Sequence, residues 1–220
     1  MSKRNEKCPY ELFYEDDQII VVYKKRDVFS VSTEDKKTYT HNLFYYLKQY
    51  LKKKNETCFI IHRLDFETSG LMIFGKNEKI TAKIRATFAS REAKRYYEAV
   101  VKETIPLGTE CEIRQNLLEK GNTVIISEEP ESKEAITKFR AVNYINIGTA
   151  LNIEILTGRR NQIRIALHSK GLTLLGDKRY SNDENKRMYL NCYMLSFPKT
   201  EGLSVTGFKV DPLWIIKEKK

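Results

Sequence analysis

The spacing of apolar residues is the feature that most constrains the fold of this chain. Short runs rich in β-branched and aromatic residues, which are typical of strands, recur along the sequence. These runs occupy residues 18–25, 58–64, 70–76, 95–102, 111–127, 136–145 and 149–156. Helical spacing appears in three stretches, namely 39–53, 77–90 and the middle of 157–171. Because the order is not a steady strand–helix alternation, we predict an α+β fold whose mixed, largely antiparallel sheet is flanked by helices and loops.

The length of the chain and its lack of linker-like segments predict one principal domain. Its 220 residues contain no long linker rich in proline, glycine or serine. We therefore expect a polar N-terminal tail over 1–10 and a single domain over 11–220. The N-terminus lacks the apolar core of a signal peptide, and no apolar run approaches the length of a membrane span. These features predict a cytoplasmic protein without membrane association.

The charge balance favours a polyanionic partner. Lysine and arginine exceed the acids by enough to give a formal net charge of +10, which suits phosphate neutralisation and counterion release. The basic runs at 24–26 and 52–54 are interpreted as solvated faces. The four cysteines are widely spaced and only three histidines occur, so we expect free thiols and no metal site.

The run HRLDFETSGL, residues 62–71, is the first candidate for chemistry. Asp65 follows an apolar strand-like segment, where a partly desolvated carboxylate needs a cation or takes up a proton. It can be a nucleophile or base, or it can form a structural salt bridge. Asp65 and Glu67 are also spaced to share one face of a strand, which leaves a carboxylate-pair glycoside hydrolase as an alternative.

Two further basic segments could contact nucleic acid. In REAKRYYEAVV, residues 91–101, alternation places Arg91, Arg95 and Tyr97 on one side of a predicted strand. A tyrosine between arginines can stack on a base, although a core tyrosine has the same pattern. In TGRRNQIRIALHSKG, residues 157–171, glycine and two arginines at a predicted helix start suit phosphate. Arg164 falls one turn after Arg160, either in solvent or facing a buried acid.

Together these segments resemble a known family. HRLDFETSGLMIFGKN, then R-x-A-x-R-x-Y-x-A, then TGRRNQIR and GLTLLGDKRY are similar to the RluA family of RNA pseudouridine synthases, over about residues 11–198. The resemblance implies the catalytic fold of that family, with a central RNA-binding cleft. It also implies that a uridine in ribosomal or transfer RNA is flipped out and isomerised to pseudouridine, without metal or organic cofactor.

The resemblance also implies roles for individual residues. Asp65 matches the essential aspartate, and Tyr97 matches the tyrosine that packs against the target base. Arg164 matches the basic residue that pairs with the aspartate and keeps it ionised. Arg63 matches the arginine that fills the gap left by the flipped nucleotide. RNA contacts are further expected from the basic residues of the other two segments, namely Arg91, Arg95, Arg159 and Arg160.

Some positions depart from the family pattern. Lys24 is followed by Lys25-Arg26-Asp27 rather than by a K-P-x-G turn. Asn161, Ala166 and Asn191 stand where the family has histidines, which affects the expected RNA contacts. The chain resembles the short members without an S4 domain, and from the family resemblance we expect a monomer. A catalytically silent RNA-binding or ribosome-assembly protein on the same fold is the main alternative.

Overall fold

The computed structural model describes residues 8–214, which divide into two compact units. Unit 1 comprises residues 8–87 and 199–206, and unit 2 comprises residues 88–198 and 207–214. The predicted tail over 1–10 falls mostly outside the described residues, and Tyr10 already begins the first strand.

Unit 1 is built on antiparallel strands and a helix that packs through leucines. Its strands are β1 (Tyr10–Glu15), β2 (Ile19–Lys24), β3 (Phe59–Ile60) and β4 (Ser69–Gly75). The central strand β2 pairs with β1 on one side and β4 on the other, and β3 also pairs with β4. Helix α1 (Leu43–Lys52) follows a 3₁₀ turn at Lys36–Thr38, and helix α2 (Glu78–Ala89) follows β4.

The start of α1 is set by a cap that the apolar pattern did not reveal. Asn42 has an extended backbone, and its side chain accepts the Tyr45 N–H at 2.9 Å. An asparagine in this position satisfies an N–H that has no partner inside the helix. The helix therefore begins at Leu43, four residues later than the predicted start. Leu43, Leu47 and Leu51 are fully buried on its inner face.

The predicted strand over 58–64 is wrong in its extent, because β3 contains only two residues. Side chains replace the backbone partners that a longer strand would need. The Leu64 N–H donates to the Ser30 hydroxyl at 3.1 Å, and the Ile73 N–H donates to the His62 ring at 3.2 Å. The chain from 61 to 68 is consequently irregular, and it is called the Asp65 loop below.

Unit 2 contains the longer antiparallel sheet and one helix. Its elements are β5 (Lys94–Val101), β6 (Glu110–Lys120), β7 (Thr123–Ile126), β8 (Lys133–Ile145), β9 (Gly148–Ile155), α3 (Gln162–Ser169), β10 (Leu190–Ser196) and β11 (Gly207–Lys209). The strand order is β11-β10-β5-β9-β8-β6-β7, with antiparallel pairing throughout. Strands β6 and β7 form a hairpin around Gly121, and β8 and β9 form another across residues 146–147. The α+β class is confirmed.

Helix α3 joins the core of unit 2 through its apolar side. Ile165 packs with Leu117, Val124 and Ala135, which come from β6, β7 and β8. All residues from Gln162 to Leu167 are buried, so this helix is enclosed on more than one side. A short helix whose polar residues are also buried must provide partners for them, and those partners form much of the candidate site.

Candidate active site

The Asp65 loop is held in unit 1 by a segment that directly follows β2. The Ser30 hydroxyl donates to the Leu64 carbonyl at 2.6 Å and accepts the Leu64 N–H at 3.1 Å. On the other side of Asp65, the Phe66 carbonyl accepts the Val28 N–H at 3.2 Å. The Phe66 ring lies 4.5 Å from the Phe29 ring, measured between centroids. Both neighbours of Asp65 are therefore fixed by residues 28–30.

The basic run at 24–26 predicted that Lys24 lies in solvent, and that prediction is wrong. Its side chain is 0% exposed. The Nζ donates to the carbonyl oxygens of Lys25, Val28 and Phe66 at 3.1, 2.8 and 3.1 Å. Burial lowers the pKa of Lys24 to about 7, and the charge of Asp65 is the largest influence in the opposite direction. Asp65 thus has a lysine in its electrostatic neighbourhood within its own unit.

Among the other residues of the HRLD run, some support the loop from inside and others are exposed to solvent. His62 is buried, and its Nε2 accepts the Ile73 N–H, so this nitrogen carries no proton. Arg63 is exposed, whereas Asp65 and Glu67 are partly exposed. His62 therefore supports the loop from inside, while Arg63 and Asp65 reach the surface of the unit.

Tyr97 and Arg95 lie on the same side of β5 in unit 2, and both are buried. The Tyr97 side chain is hydrogen-bonded to Cys192, whose thiol pKa is raised by burial to about 12. The Arg95 guanidinium carbon lies 5.0 Å from the centre of the Phe88 ring. A β-carbon at Gly158 would overlap with Arg95 Nη1, so a larger residue there would require this guanidinium to shift.

Arg164 forms a buried ion pair with Asp177, a residue that the sequence analysis did not single out. The two side chains are 3% and 0% exposed. Arg164 Nε and Nη2 donate to the two oxygens of Asp177 at 2.9 and 2.6 Å, and Nη1 donates to the Asn161 side chain at 3.2 Å. The Tyr180 ring lies beside the guanidinium, with its centre 5.4 Å from the central carbon. The alternative that Arg164 faces a buried acid is the one observed.

The loop after α3 fixes the position of Asp177 in turn. Oδ1 of Asp177 also accepts the backbone N–H groups of Arg179 and Tyr180, at 2.9 and 3.2 Å. Gly176 precedes it with a φ of +78°, and a β-carbon there would lie 1.8 Å from the Arg187 carbonyl oxygen. The motif GDKRY was the available signal for Asp177, because its glycine and aspartate occupy these two special positions.

The remaining candidate arginines are engaged with protein groups. Arg91 has a φ of +65° and lies outside β5, so it does not share a strand face with Tyr97, contrary to the alternation pattern. It binds Glu134 at 2.6 Å, and Arg159 Nε donates to the Glu134 carbonyl at 3.0 Å. Arg160 donates to two carbonyls at the tip of the β6–β7 hairpin.

Arg160 also lies outside α3, because Asn161 has a left-handed backbone with φ of +55° and the helix begins at Gln162. The predicted arrangement of Arg160 and Arg164 on one helical face is therefore wrong. Asn161 instead uses its side chain to donate to the Tyr180 hydroxyl at 3.0 Å. The backbone turn at this asparagine separates the surface arginines from the buried one.

The other two positions without the expected histidine are also internal. Ala166 is buried on α3. Asn191 is fully buried on β10, and its amide donates to Glu98 at 2.8 Å. Glu98 additionally accepts the N–H groups of Leu213 and Trp214, at 2.7 and 2.8 Å. Asn191 therefore belongs to a polar cluster that holds the end of the described chain.

Residues 8–214 contain neither a metal-site cluster nor a helix suited to crossing a membrane. No group of three or more histidine, cysteine, aspartate or glutamate residues has the arrangement of a metal site within this range. Over the same part of the chain, none of the helices combines the length and the hydropathy that crossing a membrane requires.

Comparison with known proteins agrees with this geometry. Residues 18–169 match the family described as RNA pseudouridylate synthase. The ribosomal large subunit pseudouridine synthase D of Vibrio cholerae is 30% identical over 174 residues, which cover 78% of this chain and 53% of that protein. The dual-specificity RNA pseudouridine synthase RluA of Haemophilus influenzae is 28% identical over 189 residues, covering 82% of this chain and 81% of that protein.

A solved structure supports the fold independently. The human protein titled RNA pseudouridylate synthase domain containing 1 superposes with a TM-score of 0.74 at 21% identity, covering 96% of this chain and 87% of that one. The chain spans about half the length of the synthase D relatives that it matches. The family match covers more than half of the chain and contains Asp65, Tyr97 and Arg164, and the resemblance to RluA proteins is confirmed. The chain belongs to the RNA pseudouridylate synthase family.

Proposed function

We propose that this protein isomerises uridine to pseudouridine in RNA. In this reaction the N1–C1′ bond breaks, the uracil turns, and a C5–C1′ bond forms. The C5 proton is lost and N1 gains one, so no group leaves and no redox change occurs. The observation that carries the proposal is the position of Asp65, on a loop fixed at both neighbouring residues, within a family match that also contains Tyr97 and Arg164.

The proposed roles of the three central residues follow the family resemblance. Asp65 acts as the ionised carboxylate at the anomeric carbon, either by attack on the sugar or by driving a glycal route. Arg164 provides the positive charge that keeps this carboxylate ionised in the RNA complex, and Tyr97 packs against the uracil and assists loss of the C5 proton. The buried pair of Arg164 with Asp177 supports this, because it holds the guanidinium in one orientation.

The proposed substrate is a folded RNA whose target uridine is flipped out of its stack. Flipping costs roughly a few kcal/mol, which phosphate and stacking contacts offset. The net charge of +10 suits this substrate. Arg63 is proposed to fill the vacated position, and Arg91, Arg95, Arg159 and Arg160 to contact the RNA. One matched relative is named for the ribosomal large subunit and another for dual specificity, and by the family resemblance both ribosomal and transfer RNA are candidate substrates.

The test is a map of pseudouridines in total RNA from cells with and without this protein, followed by rescue with variants. We expect a defined site to lose pseudouridine in its absence. Asp65→Asn should fail to restore the site while binding a transcript of that region with an affinity near wild type. Glu67→Gln, which removes a neighbouring acid of the same loop, is the matched control and should restore it.

Three outcomes would contradict the proposal. An unchanged pseudouridine map would favour the silent RNA-binding or assembly protein. Restoration by Asp65→Asn would exclude the essential aspartate. Release of sugar from an oligosaccharide, lost in both variants, would instead support the glycoside hydrolase.

The proposed setting is the cytoplasm, and the proposed active form is a monomer. Fractionation of cells and light scattering during size-exclusion chromatography check these two points.

A further inference from the structure

The backbone on each side of Asp65 lies outside any strand, and side chains bind it on both sides. Leu64, which precedes it, is 4% exposed, and so is Ser30. The Ser30 hydroxyl donates to the Leu64 carbonyl and accepts the Leu64 N–H, at 2.6 and 3.1 Å. One hydroxyl thus performs both hydrogen bonds that a paired strand residue would make with Leu64.

This arrangement makes Leu64 unusually dependent on one side chain. A buried N–H or carbonyl without a partner is unfavourable, and here both groups of one residue rely on the same oxygen. Ser30 is also held from behind, since its hydroxyl lies 3.5 Å from the sulfur of the fully buried Met72. The oxygen therefore has a defined position against β4, and Leu64 takes its position from it.

The other side of Asp65 is fixed by a second set of bonds. The Phe66 carbonyl accepts from Lys24 Nζ at 3.1 Å and from the Val28 N–H at 3.2 Å. The Asp65 carbonyl itself accepts the Thr68 N–H at 3.2 Å. Because Phe66 is already held, the remaining movement of the Asp65 backbone depends on how firmly Leu64 is held.

We propose that Ser30 is a positioning residue for the reaction, and that its hydroxyl sets where the Asp65 carboxylate meets the ribose. The inference rests on the proposed function and adds a residue to it. Ser30 touches neither substrate nor the carboxylate in this proposal, and it acts through Leu64. Displacement of a reacting group by about 1 Å can slow an enzyme by about 100-fold without weakening substrate binding. Loss of the Ser30 hydroxyl should therefore lower the rate of the chemical step and leave RNA affinity unchanged.

The experiment compares Ser30→Ala with Thr81→Val as a matched control. Thr81 is also buried in unit 1, and its hydroxyl donates to the Asn77 carbonyl at 2.7 Å, at the start of α2. Both variants lose one buried hydroxyl-to-carbonyl bond, and Ser30→Ala also removes the acceptor of the Leu64 N–H. Ser30→Cys keeps the shape of the side chain with a weaker hydrogen-bonding group, and it provides a folded variant if Ser30→Ala does not fold.

Three quantities are measured for each variant. They are the single-turnover rate on a transcript containing the mapped uridine, the affinity for that transcript, and the hydrogen exchange of the Leu64 amide. For Ser30→Ala we expect a rate 10- to 100-fold below wild type, an affinity within twofold, and faster exchange at Leu64. Ser30→Cys should have an intermediate rate, and Thr81→Val a rate within threefold of wild type.

The proposal is overturned if Ser30→Ala, or Ser30→Cys where the first does not fold, reacts within threefold of wild type. It is also overturned if Thr81→Val is slowed as much, or if RNA affinity falls by the same factor as the rate. Failure of the proposed function is distinguishable, because wild type would then form no pseudouridine at all. In that case exchange at Leu64 still reports whether Ser30 holds the loop.

Discussion

Lys24 illustrates how a single buried charge can organise a loop. An ammonium group has three N–H donors, and three carbonyl oxygens accept them here. Burial disfavours the charged form, and nearby carboxylates favour it. The protonation state of Lys24 is therefore linked to the backbone that carries Asp65.

This linkage predicts a pH dependence of stability that Lys24→Met removes. The pKa of Lys24 is about 7 in the folded protein and 10.5 for an ordinary lysine. Between these values the unfolded chain binds a proton that the folded chain does not, so the free energy of unfolding rises with pH. From pH 7.5 to 9.0 the contribution of Lys24 should increase by about 2 kcal/mol.

Urea unfolding of wild type and Lys24→Met at these two pH values measures the effect. Buried thiols oppose it in both proteins, because burial raises the pKa of Cys58 and Cys192 to about 12. The difference between the variants isolates Lys24. An equal pH response in the two proteins would show that folding does not lower the pKa of Lys24.

Individual residues also show which parts of the site could be predicted from the sequence and which could not. Asp65, Tyr97 and Arg164 stand in motifs that can be recognised by their order. Lys24 cannot be distinguished by composition from its neighbours in a basic run, and only the turn of the chain after β2 buries it. Asp177 lies in a polar segment that is typical of a surface loop, and its burial depends on the arginine that it meets.

At the scale of elements, α3 and the loop that follows it form a buried polar cluster beside an apolar core. Ile165 faces the sheet, while Arg164 on the same helix binds Asp177 of the loop. The 3.6-residue spacing predicted the helix and its apolar stripe. It could not predict that the polar side is also enclosed, because periodicity describes one face and says nothing of what covers the other. The same limitation explains why β3 is shorter than predicted. Side chains take the place of the strand partner that was expected there.

The ion pair of α3 predicts that Asp177→Asn is damaging to both stability and rate. Removing one charge leaves Arg164 buried without its counterion, which costs about 3–5 kcal/mol when such a pair is broken. The guanidinium should also lose its fixed orientation, so the single-turnover rate should fall at least 10-fold with RNA affinity retained.

Asp183→Asn is the control for this variant. Its carboxylate belongs to the same loop and accepts N–H groups of Gly176 and Asn185. Thermal unfolding and single-turnover rates should separate the two variants clearly. Equal behaviour would mean that the loop as a whole, and not the arginine pair, is responsible.

At the scale of the whole molecule, the charge is the property that the sequence predicted without reference to structure. The net value of +10 implies that binding of a polyanion releases counterions. The structure adds that many of these cations already have acidic or carbonyl partners, as Arg91 and Arg160 do. Composition therefore predicts the class of partner, whereas the arrangement of pairs decides which cations are used.

The affinity for RNA should consequently depend strongly on salt. With about five phosphate contacts, raising monovalent salt from about 50 to about 200 mM should weaken binding roughly 100-fold. Filter binding or fluorescence anisotropy on one transcript measures the slope. Asp65→Asn changes no cation and should give the same slope as wild type. An affinity that is constant over this range would contradict a phosphate-dominated interface.

The β6–β7 hairpin has a consequence for anyone who re-engineers this protein. Arg160 and Arg179 both donate to carbonyl oxygens at its tip, and Tyr180 reaches the Val124 carbonyl at 3.4 Å. Tyr180 also stacks beside Arg164. Shortening the hairpin, or grafting one from a relative with a different tip, would remove acceptors that the α3 region depends on. A loop exchange at this hairpin would thereby also perturb Arg164, the arginine proposed to act in the reaction, so the hairpin is not a separable module in this chain.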